Sequence, residues 1–485
     1  MAWVFRTAAA GIVLAGMGAG CGGDDGGPGG GGGDAGMTPD ASMPDAPVGG
    51  DTGGTGGSDT GAASDDGALD SAVMPGMAVA VTVDVTADAT WEAQNTYRLT
   101  KHIFVRAPAV LTIQPGTVIK GDLGSSLVIT QGAKIMADGS AAKPIIFTSG
   151  KDAGMRRAAD WGGVVILGRA PINASSGSQE IEGFASGTPG IVYGGTDPND
   201  NSGVFRYVRI EFAGFELSPM KELNGLTLGG VGSATTVDYV QSHRGADDGV
   251  EVFGGTVNLK HIVISQADDD GLDWDFGWVG KVQYLIIQQN NAVGDSGMEC
   301  DNHPTNLDVT PRSMPTIYNA SLVGSSSTVK PQRGAVLRNG TAGRLNNFII
   351  THFPITAVDV RTPASVAQTA TVPRNLTVEG SIFFKNAAAD VNFAVEAAGT
   401  SADNDAGFDE AAFFTTGTPS NRVVDPMLTD AQKQDGPSFL PMAGSPALTG
   451  AVATPAGDAF FDTATFVGAM GTVDWTATWT AYPQN

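Results

Sequence analysis

Short apolar segments that end in glycine recur along the chain from about residue 76 onward. The first four, VLTIQPG, LVITQG, IIFTSG and VVILG, place their glycines at intervals of 16 to 18 residues, at Gly116, Gly132, Gly150 and Gly168. A later set, GVEVFGG, GLDWDFG, GMECDN and GAVLRNG, begins at Gly249, Gly271, Gly297 and Gly334. A second apolar segment accompanies each later repeat, as YVRIEF, YVQS, HIVIS, YLIIQ and NFIIT. Strand-and-turn repeats of this length predict an all-β, right-handed parallel β-helix, because β-propeller blades need roughly 40–50 residues.

The later repeats align so that apolar residues fall into two columns. Successive side chains of a strand point to opposite faces, so residues two apart share a face. One predicted inward column is Val250, Leu272, Met298 and Ala335, and the other is Val252, Trp274, Cys300 and Leu337. The alignment therefore predicts that Cys300 is a core residue rather than a reactive thiol.

Carboxylates are concentrated on three consecutive repeats, in the turn before the strand and at its outward positions. They are Asp247, Asp248, Glu251, Asp268, Asp269, Asp270, Asp273, Asp275, Asp295, Glu299 and Asp301. Neighbouring rungs lie about 4.8 Å apart. At an effective dielectric constant near 20, two charges held at that separation would repel by up to about 3.5 kcal/mol. We therefore expect these acids either to retain protons or to be screened by cations.

Three interpretations of this acidic face are compatible with the sequence. Asp-Asp-Gly segments are ordinary turn chemistry, although this does not explain why the strand positions are also acidic. A calcium site would use oxygen ligands from adjacent rungs. The candidate ligands are Asp247, Glu251, Asp270, Asp273, Asp275, Asp295, Glu299 and Asp301. A catalytic site would use Asp248, Asp269 and Asp270 as acids. For a lyase, the candidate bases are Arg244, Lys281 and Arg338.

The spacing of Asp248 from the Asp269–Asp270 pair resembles that of the polygalacturonase aspartates in the pectin-lyase superfamily. This resemblance implies a polysaccharide lyase or glycoside hydrolase with an external groove. The Gly-His-Gly and Arg-Ile-Lys elements of that family are absent from this chain. Aromatic residues beside the acids, Trp278 between two glycines and Phe253, are candidates for stacking on sugar rings.

The first 75 residues predict export and tethering. MAWVFRTAAAGIVLAGMGAGC has one basic residue, a short apolar run and small residues before Cys21, which is the pattern of a signal peptide over residues 1–21. Its closing cysteine resembles the lipobox of bacterial lipoproteins, which implies acylation of Cys21 and anchoring in the cell outer membrane. Residues 22–75 are rich in Gly and Asp and predict a disordered acidic linker. A net charge of −24 makes nucleic acid a poor partner.

Residues 425–485 lose the repeat, which predicts a C-terminal cap after a β-helix spanning residues 76–424. Together with LTIQPGTVIKG, DWGGVVILGRAPIN and DDGVEVFGGTVNLKHIVIS, this segment resembles a family of bacterial cell-surface lipoproteins with parallel β-helix folds and no settled activity. The resemblance implies a tethered protein, periplasmic or surface-facing, that binds extracellular polysaccharide or surface proteins. A polysaccharide-degrading enzyme and a structural envelope protein without ligand are the alternatives.

Overall fold

A computed structural model of the chain describes residues 76–218, 221–396, 399–400, 404–418 and 420–485. The signal peptide, Cys21 and the linker predicted from the sequence lie outside the described residues. The strands in chain order are β1 Ala78–Val81, β2 Ala89–Trp91, β3 Thr96–Leu99, β4 His102–Val105, β5 Val110–Ile113, β6 Val118–Gly121, β7 Ser126–Ile129, β8 Lys134–Asp138, β9 Ile145–Ser149, β10 Val164–Leu167, β11 Gln179–Glu180, β12 Val192–Tyr193, β13 Gly203–Glu211, β14 Glu216–Ser218, β15 Lys221–Glu222, β16 Leu226–Gly229, β17 Thr236–His243, β18 Val250–Phe253, β19 Asn258–Ser265, β20 Leu272–Asp275, β21 Lys281–Gln288, β22 Ser296–Cys300, β23 Thr316–Val323, β24 Arg333–Leu337, β25 Gly343–Thr351, β26 Thr356–Val360, β27 Leu376–Glu379, β28 Ile382–Phe384, β29 Arg422–Val423, β30 Leu428–Asp430 and β31 Ser438–Pro441. The described helical segments are short: an α-helix Pro363–Thr369, 3-10 turns Ala388–Asp390 and Pro446–Leu448, and a π-helical turn Ala412–Thr416.

Two long parallel sheets wind around one apolar interior. Sheet A has sixteen strands, and its main path is β1-β3-β6-β9-β13-β17-β19-β21-β23-β25-β28-β29. Sheet B has nine strands in the order β26-β24-β22-β20-β18-β16-β10-β7-β4. The chain alternates between the sheets as it advances, and every ladder within them is parallel. This is the parallel β-helix that the repeats predicted, and the propeller alternative is excluded.

Each long strand of sheet A bends in its middle at a residue with a left-handed backbone. The residues of this column have φ between 49° and 63°: Tyr207, Tyr239, His261, Tyr284, Asn319 and Asn347. Their side chains stack from rung to rung, with ring centroids 4.3 Å apart for Tyr207–Tyr239, 4.0 Å for Tyr239–His261 and 4.9 Å for His261–Tyr284. The bend gives each rung three sides, two from sheet A and one from sheet B. His261 therefore holds the same structural position as the tyrosines of this column.

The two predicted inward columns are confirmed. Register pairs Val250 with Leu272 and then Met298, and Val252 with Trp274 and then Cys300. All of these side chains belong to the interior cluster, and the free thiol of Cys300 is buried. Burial raises the pKa of that thiol well above its usual range, so the thiolate is disfavoured at neutral pH.

The segment from residue 425 leaves the repeat as predicted, but it lies along one side of the β-helix and not over its end. It runs back over the outer surface of sheet A, where the amide of Asn347 donates to the Val452 carbonyl at 2.9 Å and that of Gln241 to the Ala481 carbonyl at 2.7 Å. The interior next to the last rung is instead filled by Phe393 and Phe414, whose ring centroids are 5.9 Å apart. The reason is that sheet A exposes apolar residues outward, and only a covering segment removes them from water.

Trp479 anchors this covering segment, so replacing it tests how much the segment contributes to stability. The buried indole packs edge-on against Tyr207 and Tyr239, with centroids 6.0 and 5.8 Å apart. We expect Trp479→Ala to lower the free energy of unfolding by about 3–5 kcal/mol, because the cavity cannot fully collapse. Guanidinium denaturation measures this loss, and Val473→Ala, which alters an exposed side chain of the same segment, should change stability by under about 0.5 kcal/mol. Equal stability of Trp479→Ala and wild type would mean that the segment is not part of the folding unit.

Candidate metal centre

The acidic residues lie on the outer face of sheet B, where the face changes from apolar to charged. Along one column the outward residues of the first strands are apolar: Phe104, Val128 and Val165. The same column continues as Thr227, Glu251, Asp273, Glu299, Val336 and Asp359. The apolar part is covered by an insertion whose strands are β11 and β12. The acids therefore lie at the margin of a covered face, and Glu251, Asp273 and Glu299 are all buried.

Two aspartates in the turns before the strands link one rung to the next. The carboxylate of Asp248 accepts the backbone N–H of Asp270 at 3.0 Å, and that of Asp270 accepts the backbone N–H of Ser296 at 2.6 Å. Each bond satisfies a buried donor of the following rung, which supports the turn interpretation for these two residues. The same carboxylates also contribute to the acid cluster, because each retains a second oxygen atom.

Three sets of carboxylates converge closely enough to share a cation. Within each set the ligand oxygens all lie within 4.8 Å of one another. The sets are Asp247, Asp248 and Asp269; Asp248, Glu251 and Asp273; and Asp270, Asp273 and Glu299. Asp248 belongs to the first and second sets and Asp273 to the second and third, so the three form one continuous cluster over three rungs.

Asp273 lies at the centre of the cluster and has an unpaired oxygen. Its side chain is 5% exposed, and the buried Oδ1 has no hydrogen-bond partner. Its neighbour Glu251 accepts the amide of Asn224 at 2.6 Å, so only part of the cluster is satisfied by the protein. Burial, together with repulsion from neighbouring carboxylates, raises the pKa of Asp273 and of Glu251 well above the usual range. An ionised, unpaired carboxylate in this position is costly unless a proton or a cation neutralises it.

The acids on the later rungs are neutralised by arginines. Arg338 forms ion pairs with Glu299 and with Asp301, the latter at 2.9 Å. Arg333 lies 3.4 Å from Asp295 and 3.5 Å from Asp359. The basic partners thus lie on the later rungs, and Arg338 offsets the charge of Glu299 only in part.

Three of the eight predicted metal ligands do not belong to the cluster. Asp295 and Asp301 are held by arginines, and Asp275 accepts the backbone N–H of Phe276 at 2.5 Å. The sequence alignment could not show which of the eight meet a basic partner. Conversely, Asp248 and Asp269, which the sequence suggested as catalytic acids, lie in the cluster and are candidate ligands.

The structure brings the predicted catalytic acids Asp248, Asp269 and Asp270 into the cluster, but it does not place Arg244 among them. Arg244 donates to the Gln484 side chain at 2.8 Å, at the edge covered by the C-terminal segment, and burial lowers its pKa. Asp248 and Asp270 are buried and bonded to the next rung, so a polysaccharide cannot reach them. Paired glycosidase carboxyls are about 5–9.5 Å apart with a sugar between them. The tighter, enclosed cluster suits a single ion better.

The two aromatic residues predicted to stack on sugar are both buried, so this prediction is wrong. Trp278 is 0% exposed, its indole N–H donates to the Val257 carbonyl at 3.0 Å, and its ring packs on Trp274. Phe253 is 4% exposed and packs between Tyr193 and Phe276. The glycines beside Trp278 allow the chain to turn so that the indole enters the interior. The insertion that covers Phe253 has no periodic signal in the sequence.

The donor set fits a hard divalent cation. Among the described residues the cluster offers only carboxylate oxygens, which suit Ca²⁺, whereas Zn²⁺ sites ordinarily include imidazole or thiolate. The unpaired Oδ1 of Asp273 is the specific feature that a cation would satisfy. A bound cation would supply charge neutralisation across the rungs, and the aspartates of the turns would hold it in place.

The fold and the acidic face define a class: a parallel β-helix with a carboxylate cluster on one outer sheet. A family profile described as pectate-lyase like beta helix domain matches residues 83–425, and the chain belongs to this family. The match ends where the repeat ends and the covering segment begins. No curated protein and no solved structure matches the chain. The family therefore agrees with the resemblance to the pectin-lyase superfamily, and the activity stays open.

Protonation of the cluster predicts that the calcium-free protein loses stability as the pH rises. Burial, partly offset by Arg338, raises the pKa of Glu299 from 4.5 to about 7. The folded state therefore holds a proton between these values that the unfolded state releases, and stability falls across that window. We expect Glu299→Gln to flatten the decline of the thermal midpoint between pH 4.5 and 7 in chelator.

The control for this measurement is Glu92→Gln, which alters an exposed carboxylate outside the cluster and should follow the wild-type curve. His243, whose pKa burial lowers to about 3, acts in the opposite direction, and it is unchanged in both variants. Parallel curves for Glu299→Gln and wild type would show that Glu299 is ionised throughout.

Proposed function

We propose that this protein is a non-enzymatic, membrane-tethered binding protein whose β-helix holds Ca²⁺ in the carboxylate cluster and binds extracellular polysaccharide or a neighbouring surface. The observation that carries the calcium proposal is the buried, unpaired Oδ1 of Asp273 among four other carboxylates. Turn chemistry accounts for Asp248 and Asp270, but it leaves Asp273 without a partner.

A binding role is favoured over catalysis by the enclosure of the acids. Polysaccharide cleavage needs an accessible acid and base on either side of a sugar. Asp248, Asp270 and Asp273 are all buried, and Arg244 is directed toward the C-terminal segment. A cation at this position would stabilise the rungs and thereby the surface that the β-helix presents.

The sharpest test is the thermal midpoint of residues 76–485 with calcium and with chelator, for wild type and Asp273→Asn. Calcium at 100 times its dissociation constant should add about 2.7 kcal/mol to the stability of the wild type. In Asp273→Asn the response should be lost. In chelator this variant should be at least as stable as the wild type, because an amide does not repel its acidic neighbours.

The matched control is Asp308→Asn, which makes the same change at an exposed carboxylate and should retain the full calcium response. A wild-type midpoint that is identical with calcium and with chelator would refute the calcium site and favour a structural envelope protein. A response retained in Asp273→Asn would place the cation elsewhere.

Membrane attachment is proposed from the sequence of the N-terminal segment, with Cys21 as the acylated residue. Among the residues that the structure describes, no helix has the length and apolar character needed to cross a bilayer. We expect Cys21→Ser to shift the protein from the membrane fraction to the soluble fraction and to abolish labelling by a palmitate analogue. Cys300→Ser, a change at the buried thiol, is the control and should remain membrane-bound and labelled. Lipid labelling of Cys21→Ser would contradict acylation at that cysteine.

A further inference from the structure

A cleft of about 400 Å³ lies between the C-terminal segment and the middle of sheet A, on a different face from the carboxylate cluster. Its volume falls in the range of small-molecule sites, about 300–1,000 Å³. The residues that carry its chemistry are His261, Tyr284, Asp462, Phe466, Thr472 and Trp475. Neither the family profile nor the acidic face accounts for this cleft.

Aromatic rings form the floor and the walls of the cleft. His261 and Tyr284, two members of the stacked column of sheet A, lie in the floor with centroids 4.9 Å apart. Trp475 meets His261 edge-on at 5.1 Å, and Phe466 lies roughly parallel to Tyr284 at 6.3 Å. The indole N–H of Trp475 donates to the Ala469 carbonyl at 2.8 Å, which fixes the ring. The apolar faces are therefore in place before any ligand arrives.

A polar group is fixed beside these rings. The backbone of Asp462 exchanges two hydrogen bonds with the Gln283 side chain, at 2.7 and 3.0 Å. Its carboxylate lies 2.9 Å from the Lys260 ammonium. The side chain of Thr472 is exposed at the rim. Hydroxyl and carboxylate groups at the edge of flat apolar rings suit a ligand with apolar faces and hydroxylated edges.

The charges around the cleft favour a neutral ligand over a charged one. Asp462 is already neutralised by Lys260, and the neighbouring Asp458 by Lys281 at 2.5 Å. Among the described residues that line the cleft, a cation would therefore find no unpaired carboxylate, and a uronate would meet a protein with a net charge of −24. We propose that the cleft binds a neutral saccharide, with one sugar ring stacked against Trp475 and its hydroxyls bonded near Asp462. This proposal rests on the proposed function, because it identifies where the protein would contact a polysaccharide. It does not depend on the calcium site.

Isothermal titration calorimetry of residues 76–485 with neutral oligosaccharides tests the site. The probes are cello-, xylo-, manno- and malto-oligosaccharides, with polygalacturonate as the acidic comparison, each in calcium and in chelator. We expect at least one neutral probe to bind equally well in both conditions. Trp475→Ala should weaken it at least about tenfold, and Trp475→Phe should restore most of the affinity by keeping a stacking face.

A second variant protects the test against a folding defect in Trp475→Ala. Thr472→Arg adds a long side chain at the exposed rim and should block binding with an unchanged thermal midpoint. Ala477→Arg, at an exposed position of the same segment that does not line the cleft, should bind as the wild type does.

The outcomes separate this site from the proposed function. The inference is overturned if no neutral probe binds, or if one binds and Thr472→Arg leaves its affinity unchanged. Calcium-dependent binding of polygalacturonate that survives Thr472→Arg, with no neutral probe bound, would overturn it while supporting the acidic face. Neutral-saccharide binding in chelator, lost in Thr472→Arg, supports the cleft even if calcium has no effect on stability.

Discussion

The parallel stacking of rungs is the constraint on which the structure depends. Each side chain has a counterpart about 4.8 Å away on the next rung, so equivalent positions form continuous columns. In such a column, side chains of the same kind therefore contact one another on every pair of neighbouring rungs. Apolar columns, such as the one containing Val252, Trp274 and Cys300, gain from this repetition because every contact removes further surface from water. Columns of rings gain as well, as the stack from Tyr207 to Tyr284 demonstrates.

The same constraint makes a column of carboxylates unfavourable, and the protein relieves it in two ways. On the later rungs Arg338 forms ion pairs with Glu299 and Asp301 and so offsets part of the repulsion between them. On the earlier rungs the described residues provide backbone and amide donors for Asp248, Asp270 and Glu251, but none for Oδ1 of Asp273. The later rungs therefore carry basic partners for their acids, whereas the earlier rungs leave Asp273 to be neutralised by a proton or an ion.

The sequence predicts those structural features that repeat from rung to rung, and it does not predict those that occur only once. Register is repeated, so the alignment of glycines and apolar residues places Val250 over Leu272 and Glu251 over Asp273 correctly. Burial of Trp278 is not repeated, because it depends on one turn directing the indole toward Trp274. The ion pairs of Arg338 also depend on side-chain direction rather than register. Residues 425–485 lie along sheet A because the outer surface of that sheet carries apolar groups. Loss of the sequence repeat predicts that the segment leaves the β-helix, but it does not predict which surface the segment covers.

The outer surfaces of the two sheets are covered differently, because sheet A presents apolar rings and sheet B presents carboxylates. On sheet A the outward column of Tyr239, His261 and Tyr284 is apolar enough to hold a folded segment, and the cleft arises where that cover is incomplete. On sheet B the insertion covers the apolar rungs and extends over Phe253 in the strand of Glu251, so the carboxylates lie buried at the margin of this cover, where their desolvation is costly. A β-helix with two differently covered faces can therefore separate stabilisation from recognition. A cation on sheet B would relieve repulsion between rungs, and the cleft on sheet A would retain its shape independently of that ion.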